Sequence, residues 1–317
     1  VSCDNRNKLL TRYIKDYVLS DLFLSGKINT NIHRVKKCQI SYINKKGEKV
    51  RKLHFESISN IGCIIHKTNY NFMILDLTNA YNNVYHDFLY KVLNYYLDDQ
   101  KLSEGITNII KTIKYYDPKL KLKVKRNKGI PQGCAFSIDL FVLCMNYIIN
   151  NVITSLKMEL DLKYNVDYKL IIYVDDILIL FKSRKAELLC MDMYQIFEII
   201  FNKYKFILNT KKSKCSIGLS KCTFQRIKSD DKYLGIYFTR DLEIYLSYLD
   251  KEIKAKKLLN GKIKSLFDCE LYFNELTLKN KLYLAGKLRY RLSPFVMYGN
   301  KLSIILNRYE KISSLFR

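Results

Sequence analysis

The 317-residue chain is predicted to be an α+β protein, with an antiparallel sheet that carries acidic residues at one end, helices packed on that sheet, and a helical C-terminal region. Three observations predict this. Residues 171–181 read I-I-Y-V-D-D-I-L-I-L-F, two β-branched and aliphatic blocks around paired aspartates, which is the pattern of strand, tight turn, strand. Residues 71–76 read N-F-M-I-L-D, an apolar strand ending on an acid ahead of a helically spaced segment. From residue 247 onward Lys is interleaved with Leu and Ile at helical spacing. Packing asks for no charge at a hairpin tip, whereas divalent cations need carboxylates on a rigid, partly dry element.

Composition narrows the partners. Lys and Arg number 55 against 30 Asp and Glu, a formal charge of +25. Such an excess repels itself in a compact fold unless a polyanion is the normal partner, so nucleic acid is expected first and an anionic surface second. The 26 Tyr and 16 Phe, with no Trp, supply stacking surface as well as core, although an AT-rich coding sequence favours the same residues. Nine cysteines are scattered without a C-x-x-C pair, which points to a reducing compartment and away from zinc. The longest apolar runs are broken by Asp139 or by Asp175 and Asp176, so no membrane partner is expected and the protein is read as intracellular. A first residue other than Met suggests a fragment or a processed chain.

Along the chain, residues 9–28 place Leu9, Leu10, Tyr13, Ile14, Tyr17, Val18, Leu22 and Phe23 at helical spacing, as a packing helix would. Residues 35–56 alternate around Gly47 and predict a β-hairpin studded with Lys45, Lys46, Lys49, Arg51 and Lys52. It is either an exposed basic hairpin or a lid over a triphosphate. Asp76 falls at a strand's carboxyl end, where α/β sites collect ligands, or it caps the following turn. Tyr81, five residues on, packs in the core or stands beneath a sugar.

Residues 119–128 read K-L-K-L-K-V-K-R-N-K, a strand with one cationic face whose charges, about 7 Å apart, suit a phosphate backbone. Residues 129–137 read G-I-P-Q-G-C-A-F-S, a turn whose two glycines permit close approach while Gln132 offers donor and acceptor. A long apolar helix to about residue 153 follows. Residues 185–204 are helical, 209–213 form a basic turn, and 232–245 form a second hairpin around Leu234 and Gly235.

In order, these segments resemble the motif series of reverse transcriptases: D-x-x-x-A-Y from Asp76, G-I-P-Q-G at 129–133, Y-V-D-D at 173–176, N-x-x-K-S at 209–213 and the L-G hairpin at Leu234 and Gly235. The resemblance covers roughly residues 35–240, and among reverse transcriptases the telomerase catalytic subunit is the nearest likeness. Ser137, Leu140, Leu143 and Cys144 after the 129–133 loop, the hairpin Y-I-N-K-K-G-E-K-V-R from Tyr42, and S-L-F from Ser265 carry it. Asn44 stands where a proline is usual. Only 56 positions (132 − 76) separate Asp76 from Gln132, short of the insertion telomerases carry there. Non-LTR retroelement reverse transcriptases share several of these motifs and form the alternative.

The resemblance implies a right-hand polymerase: fingers over residues 1–70, a palm with an antiparallel sheet over 71–240 with inserted fingers segments at about 94–130, and a helical thumb over 241–317. It implies RNA-directed DNA polymerisation, with Asp76, Asp175 and Asp176 holding two Mg²⁺ ions. Triphosphate contacts would fall on Lys45 and Arg51, the sugar gate on Tyr81, template or nucleotide contact on Gln132 and Gly133, proton donation on Lys212, and the primer grip on Leu234 and Gly235. The implied partners are an RNA template, stably bound if the protein is a telomerase, a DNA primer and dNTPs; the implied location is then the nucleus, at chromosome ends. A viral RNA-dependent RNA polymerase is disfavoured by Ala80 and Tyr81, which stand where such enzymes place a polar residue to accept a 2′-hydroxyl. A silent nucleic-acid-binding module is disfavoured by the presence of all three aspartates.

Overall fold

The computed structural model describes residues 5–24, 32–33, 38–43, 49–54, 65–66, 69–113, 115–117, 122–124, 127–161, 167–217, 224–280, 284 and 291. The chain divides into two compact units. The first comprises Val1–Leu53 and Tyr70–Arg226, the second His54–Asn69 and Ile227–Arg317.

The first unit is built on a six-stranded sheet of order β1-β7-β8-β4-β9-β10. Its strands are β1 (Ile32–His33), β4 (Asn71–Leu75), β7 (Asp167–Tyr173), β8 (Asp176–Lys182), β9 (Lys214–Cys215) and β10 (Gln225–Arg226). β4 and β8 are central, and β8 is buried at every position between its two ends, as an aliphatic run covered on both faces must be. Two further pairs stand apart from this sheet: β2 (Cys38–Ile43) with β3 (Lys49–His54), and β5 (Tyr115–Asp117) with β6 (Leu122–Val124). The expected basic hairpin is therefore present as strands, and so is part of the expected 119–128 strand.

Against the sheet pack α3 (His86–Leu97), α4 (Gln100–Thr112), α5 (Ser137–Leu156) and α6 (Ala186–Lys203). α5 is buried on nearly all sides, from Leu140 through Val152. Its apolar character is thus explained by its central place, but the expectation that no segment is apolar enough to cross a membrane needs correcting. Residues 137–160 pass by length and composition alone, and most of this stretch is buried inside the fold. Asp139 and Asn146 interrupt the sequence pattern yet are themselves buried.

The N-terminal helix differs from its sequence pattern. α1 (Asn5–Tyr13) and α2 (Ser20–Leu24) are joined by a π-helical stretch, Ile14–Leu19. The wider π-turn moves the inward position after Ile14 from Tyr17 to Leu19, so Ile14, Leu19 and Leu22 are buried and Tyr17 faces outward; Leu9, Leu10 and Tyr13, ahead of it, are exposed as well. Tyr13 and Tyr17 stack on each other, with ring centroids 4.8 Å apart.

The second unit has its own core of Tyr237, Tyr245, Leu249, Ile253, Leu258, Ile263, Leu276 and Leu284. Its hairpin, β11 (Lys232–Tyr233) and β12 (Ile236–Tyr237), turns through Leu234 (φ 47°) and Gly235 (φ 86°). Two consecutive left-handed residues match the twist of an antiparallel pair. α7 (Leu242–Lys254) and α8 (Leu266–Leu271) follow. Residues 54–69 join this unit, where His66 Nε2 lies 3.1 Å from the Tyr237 carbonyl oxygen and its ring meets Tyr245 edge-on. Beside the hairpin, Glu252 gathers three partners: Lys232, the Tyr237 hydroxyl donating at 2.6 Å, and Arg291 at 3.4 Å. A Cβ at position 235 would meet the Arg291 guanidinium at 2.8 Å, so that side chain would have to move, and the left-handed φ is what makes this turn favour glycine.

Candidate active site

The site forms where β4 ends. β4 pairs antiparallel with β8 through Leu75↔Ile177, and one further step in that register sets Asp76 against Asp176. β7 and β8 close through Tyr173↔Asp176, leaving Val174 and Asp175 as the two-residue turn. All three aspartates thus come to one end of the sheet on adjacent backbone. Val174 holds φ 58° while buried. A β-branched residue in the left-handed region is strained by about 1–3 kcal/mol, a cost that persists where surrounding packing imposes the turn.

Asp76 is clamped from its other side by residues 209–213. Its carbonyl accepts from the Asn209 N–H at 2.8 Å, and its own N–H donates to the Ser213 hydroxyl at 3.2 Å. The turn is closed by the Lys212 and Ser213 N–H groups donating to the Asn209 carbonyl at 3.1 and 2.8 Å. β9 then continues the sheet through Met73↔Cys215 and Ile74↔Lys214. This geometry delivers Lys212 Nζ to 3.9 Å from Asp76 Oδ2. The lysine is 70% exposed, so the ion pair adds little stability, and its importance lies in the charge it places there.

Asp175 is half-buried, and its carboxyl is held above the usual range, first by burial and then by the nearby charge of Asp76. Among the described residues no three His, Cys, Asp or Glu side chains already form a ligand cluster. The donor set nevertheless fits a hard divalent cation: carboxylate oxygens, two of them in each other's field, with burial raising the cost of leaving one charged.

Tyr81 lies on a 3₁₀ turn, Ala80–Asn83. Its ring stacks on Phe141 at 4.2 Å and 14°. Burial, then the charge of Asp175, then Tyr173 and Asp139, push its hydroxyl far above the ordinary tyrosine value, so it stays neutral at the edge of the carboxylate cluster. The 129–133 loop is fastened to the same segment. The Ile130 N–H donates to the Tyr81 carbonyl at 2.9 Å, and the Gly129 N–H to the Val84 carbonyl at 2.7 Å. His86 Nε2, 3.1 Å from the Gly129 carbonyl, and Ser137, whose hydroxyl donates to the Pro131 carbonyl, complete the fastening. Gly129 has φ 103°, and a Cβ there would sit 3.4 Å from the Asn82 backbone. Gln132 and Gly133 are left exposed at the tip.

The structure therefore brings together Asp76, Asp175, Asp176, Tyr81, Lys212 and the loop bearing Gln132 and Gly133. Lys45 lies outside the described residues, as does the side chain of Arg51 on β3. Leu234 and Gly235 belong to the second unit. Sequence reasoning did not find Phe141 beneath Tyr81, since an aromatic on an apolar helix carries no distinguishing signal. Ser213 was visible only as the last residue of its turn.

A sequence model of the family "Reverse transcriptase (RNA-dependent DNA polymerase)" matches residues 28–238. No curated protein matches the chain. Similar solved structures include a telomerase from Candida albicans in complex with a TWJ fragment of telomeric RNA, at TM-score 0.48 and 12% identity, covering 97% of this chain and 52% of that one. The Candida tropicalis telomerase with the same kind of RNA fragment gives 0.49 and 13% over 93% and 48%. The apo form of that telomerase gives 0.45 and 12% over 89% and 56%. The chain spans about half the length of these solved structures.

The raised carboxyl at position 175 has a direct consequence for stability. A carboxylate whose folded-state pKa exceeds its unfolded value of 3.8 favours the folded state below that value, and the contribution is lost as pH rises through the folded pKa. With divalent ions chelated, Asp175→Asn is expected to melt at a higher temperature than the wild type at pH 7, and the gap should close toward pH 3. Thermal unfolding followed by circular dichroism across that range checks it; a variant that is less stable at pH 7 would refute the buried-charge cost.

Proposed function

Because the chain belongs to the reverse transcriptase family, matched over residues 28–238, we propose that it extends a DNA primer 3′ end by copying an RNA template. The observation that carries this reading is the convergence of Asp76 and Asp175 at one sheet end, with Tyr81 held on Phe141 inside the field of Asp175. Asp76, Asp175 and Asp176 would hold two divalent ions. Mg²⁺ suits such oxygen donors and, when bound, lowers the pKa of the primer 3′-hydroxyl and neutralises triphosphate charge.

The chain's own residues do the positioning. The primer 3′-oxygen forms its bond to the α-phosphorus as the bond from that phosphorus to the bridging oxygen of pyrophosphate breaks, in line, so orientation and charge supply most of the acceleration. Lys212, whose ammonium lies beside Asp76, is assigned to giving a proton to the departing pyrophosphate. Lys45 and Arg51 on the basic hairpin are assigned to the triphosphate, and Leu234 and Gly235 to gripping the primer. Gln132 and Gly133, at the tip of the fastened loop, are assigned to the template or nucleotide. The Tyr81 ring is rigidly backed by Phe141 and would leave no room for a 2′-hydroxyl, which selects dNTPs.

Within the family, the residues after the 129–133 loop and the hairpin from Tyr42 favour a telomerase catalytic subunit, acting in the nucleus on a stably bound RNA. A specific observation favours the non-LTR retroelement alternative: the stretch from Asp76 to Gln132 holds a 3₁₀ turn, α3, α4 and the short β5–β6 pair, leaving no space for a long insertion.

Primer extension on an RNA template with Mg²⁺ is the test. Asp76→Ala, Asp175→Ala and Asp176→Ala are each expected to lose activity on the order of 10²- to 10³-fold, the effect of several kcal/mol of lost charge stabilisation, and a variant extending at the wild-type rate would remove that residue from the site. Tyr81→Ala is expected to raise the rNTP to dNTP incorporation ratio, and an unchanged ratio would refute the gate. Sequencing the RNA that co-purifies with the chain separates the two biological readings: a short RNA containing a repeat complement supports telomerase, and the protein's own transcript supports a retroelement.

A further inference from the structure

A cationic surface lies on the first unit, made by α3, the segment before the 129–133 loop and the end of α6. Tyr85 carries two ammonium groups, Lys205 Nζ at 4.3 Å and Lys128 Nζ at 5.3 Å from its ring centroid. Lys128 is also tied to Asn83 Oδ1 at 3.2 Å. Lys205 takes a left-handed backbone, φ 63°, directly after Tyr204, and Lys203 lies 5.8 Å from the Tyr204 ring. Tyr204 meets Tyr147 at 5.8 Å, Lys91 lies 6.0 Å from the Tyr147 ring, and Tyr95, 65% exposed, packs edge-on against Tyr147 at 5.3 Å. The four lysines are exposed, and the acid nearest in sequence on α3 is Asp87, one turn before Lys91.

A lysine-rich, tyrosine-rich chain produces scattered cation–π pairs by composition alone. Composition does not account for four exposed lysines gathered on three neighbouring tyrosine rings, two of the ammonium groups sharing one tyrosine. Bringing those like charges together costs energy that a polyanion repays. A duplex asks for cations at phosphate spacing; the exposed Tyr95 ring, beside the partly buried Tyr85, Tyr147 and Tyr204, suits a single strand, whose unstacked bases lie on aromatic faces.

We propose that this surface binds single-stranded RNA, in a site separate from the carboxylate cluster. The choice of RNA over DNA rests on the template assigned under the proposed function, since an RNA template continues as a single strand beyond the copied position. Lys128, Lys205, Lys203 and Lys91 neutralise successive phosphates, and Tyr95 offers its free face to a base.

The test is fluorescence anisotropy of a labelled twelve-residue oligo(U) titrated with the full chain at graded KCl, without dNTPs. Lys91→Glu/Lys203→Glu/Lys205→Glu is compared with a charge-matched control, Lys157→Glu/Lys182→Glu/Lys185→Glu, on the same unit. The surface triple is expected to weaken binding on the order of 10²-fold at low salt and to flatten the salt dependence by about two phosphate contacts, at ~0.7 in log–log slope for each. The control should do markedly less. Tyr95→Ala, at an exposed position that perturbs no core, should cost roughly tenfold. Equal weakening by both triples, or wild-type affinity in the surface triple and in Tyr95→Ala, overturns the proposal; equal, equally sensitive binding of oligo(dT) overturns its assignment to RNA. Extension on a short primer–template, measured in parallel, should be unchanged in the surface variants. Its absence in the wild type would sink the polymerase reading while the anisotropy still reports on this surface.

Discussion

The site depends on β4 being hydrogen-bonded along both edges. With β8 on one side and β9 on the other, the strand cannot shift, and Asp76 emerges where both neighbours supply the rest of the machinery. The hairpin tip on the β8 side contributes Asp175 and Asp176. The turn on the β9 side contributes Lys212 and holds Asp76 by its own main-chain groups. Carboxylates in each other's field repel, and a side-chain scaffold would let them splay. Here the ladder pairing on both sides fixes the strand ends and the turn between them, and the carboxyl at position 175 is held above its ordinary range first by burial and then by the charge of Asp76.

The same economy governs Tyr81. Its ring is backed by Phe141, itself fully buried and edge-on to Phe206. The loop carrying Gln132 is fastened to the Tyr81 and Val84 carbonyls, so ring and loop are set as one piece, as the proposed gate role requires. Rigid placement of this kind is what lowers a barrier that is mostly orientation and charge. The strain in Val174 and the buried charge at Asp175 are the stability costs of that placement.

Much of this was legible in the sequence because the relevant signals are local. Alternating β-branched blocks around Asp175 and Asp176, the glycines at 129 and 133 and the paired Leu234 and Gly235 each specify a short backbone path by chemistry that needs no distant partner. What could not be read is what tertiary packing decides. Nothing near Ser213 in sequence says that its hydroxyl holds Asp76, 137 positions away. Phe141 sits on a helix apolar all round, so periodicity could not say which neighbour its ring would meet. The outward turn of Tyr17 follows from a π-helical insertion at Ile14–Leu19, and no residue there announces it. Residues 54–69, which lie beside the basic hairpin in sequence, join the second unit through partners such as Tyr237 and Tyr245.

The clamp on Asp76 also sets an order in time. β4 is complete once residue 75 is made, yet both strands that pair with it, and the turn that holds Asp76, lie a hundred or more residues downstream. At ~5–20 residues per second, the nascent chain must wait on the order of ten seconds for the serine that secures Asp76. During that wait an aliphatic strand stands with both edges open, the arrangement most prone to pair with a neighbouring polypeptide. For this fold, the pace of translation between residues 76 and 215 is therefore a physical parameter of whether the chain matures or aggregates.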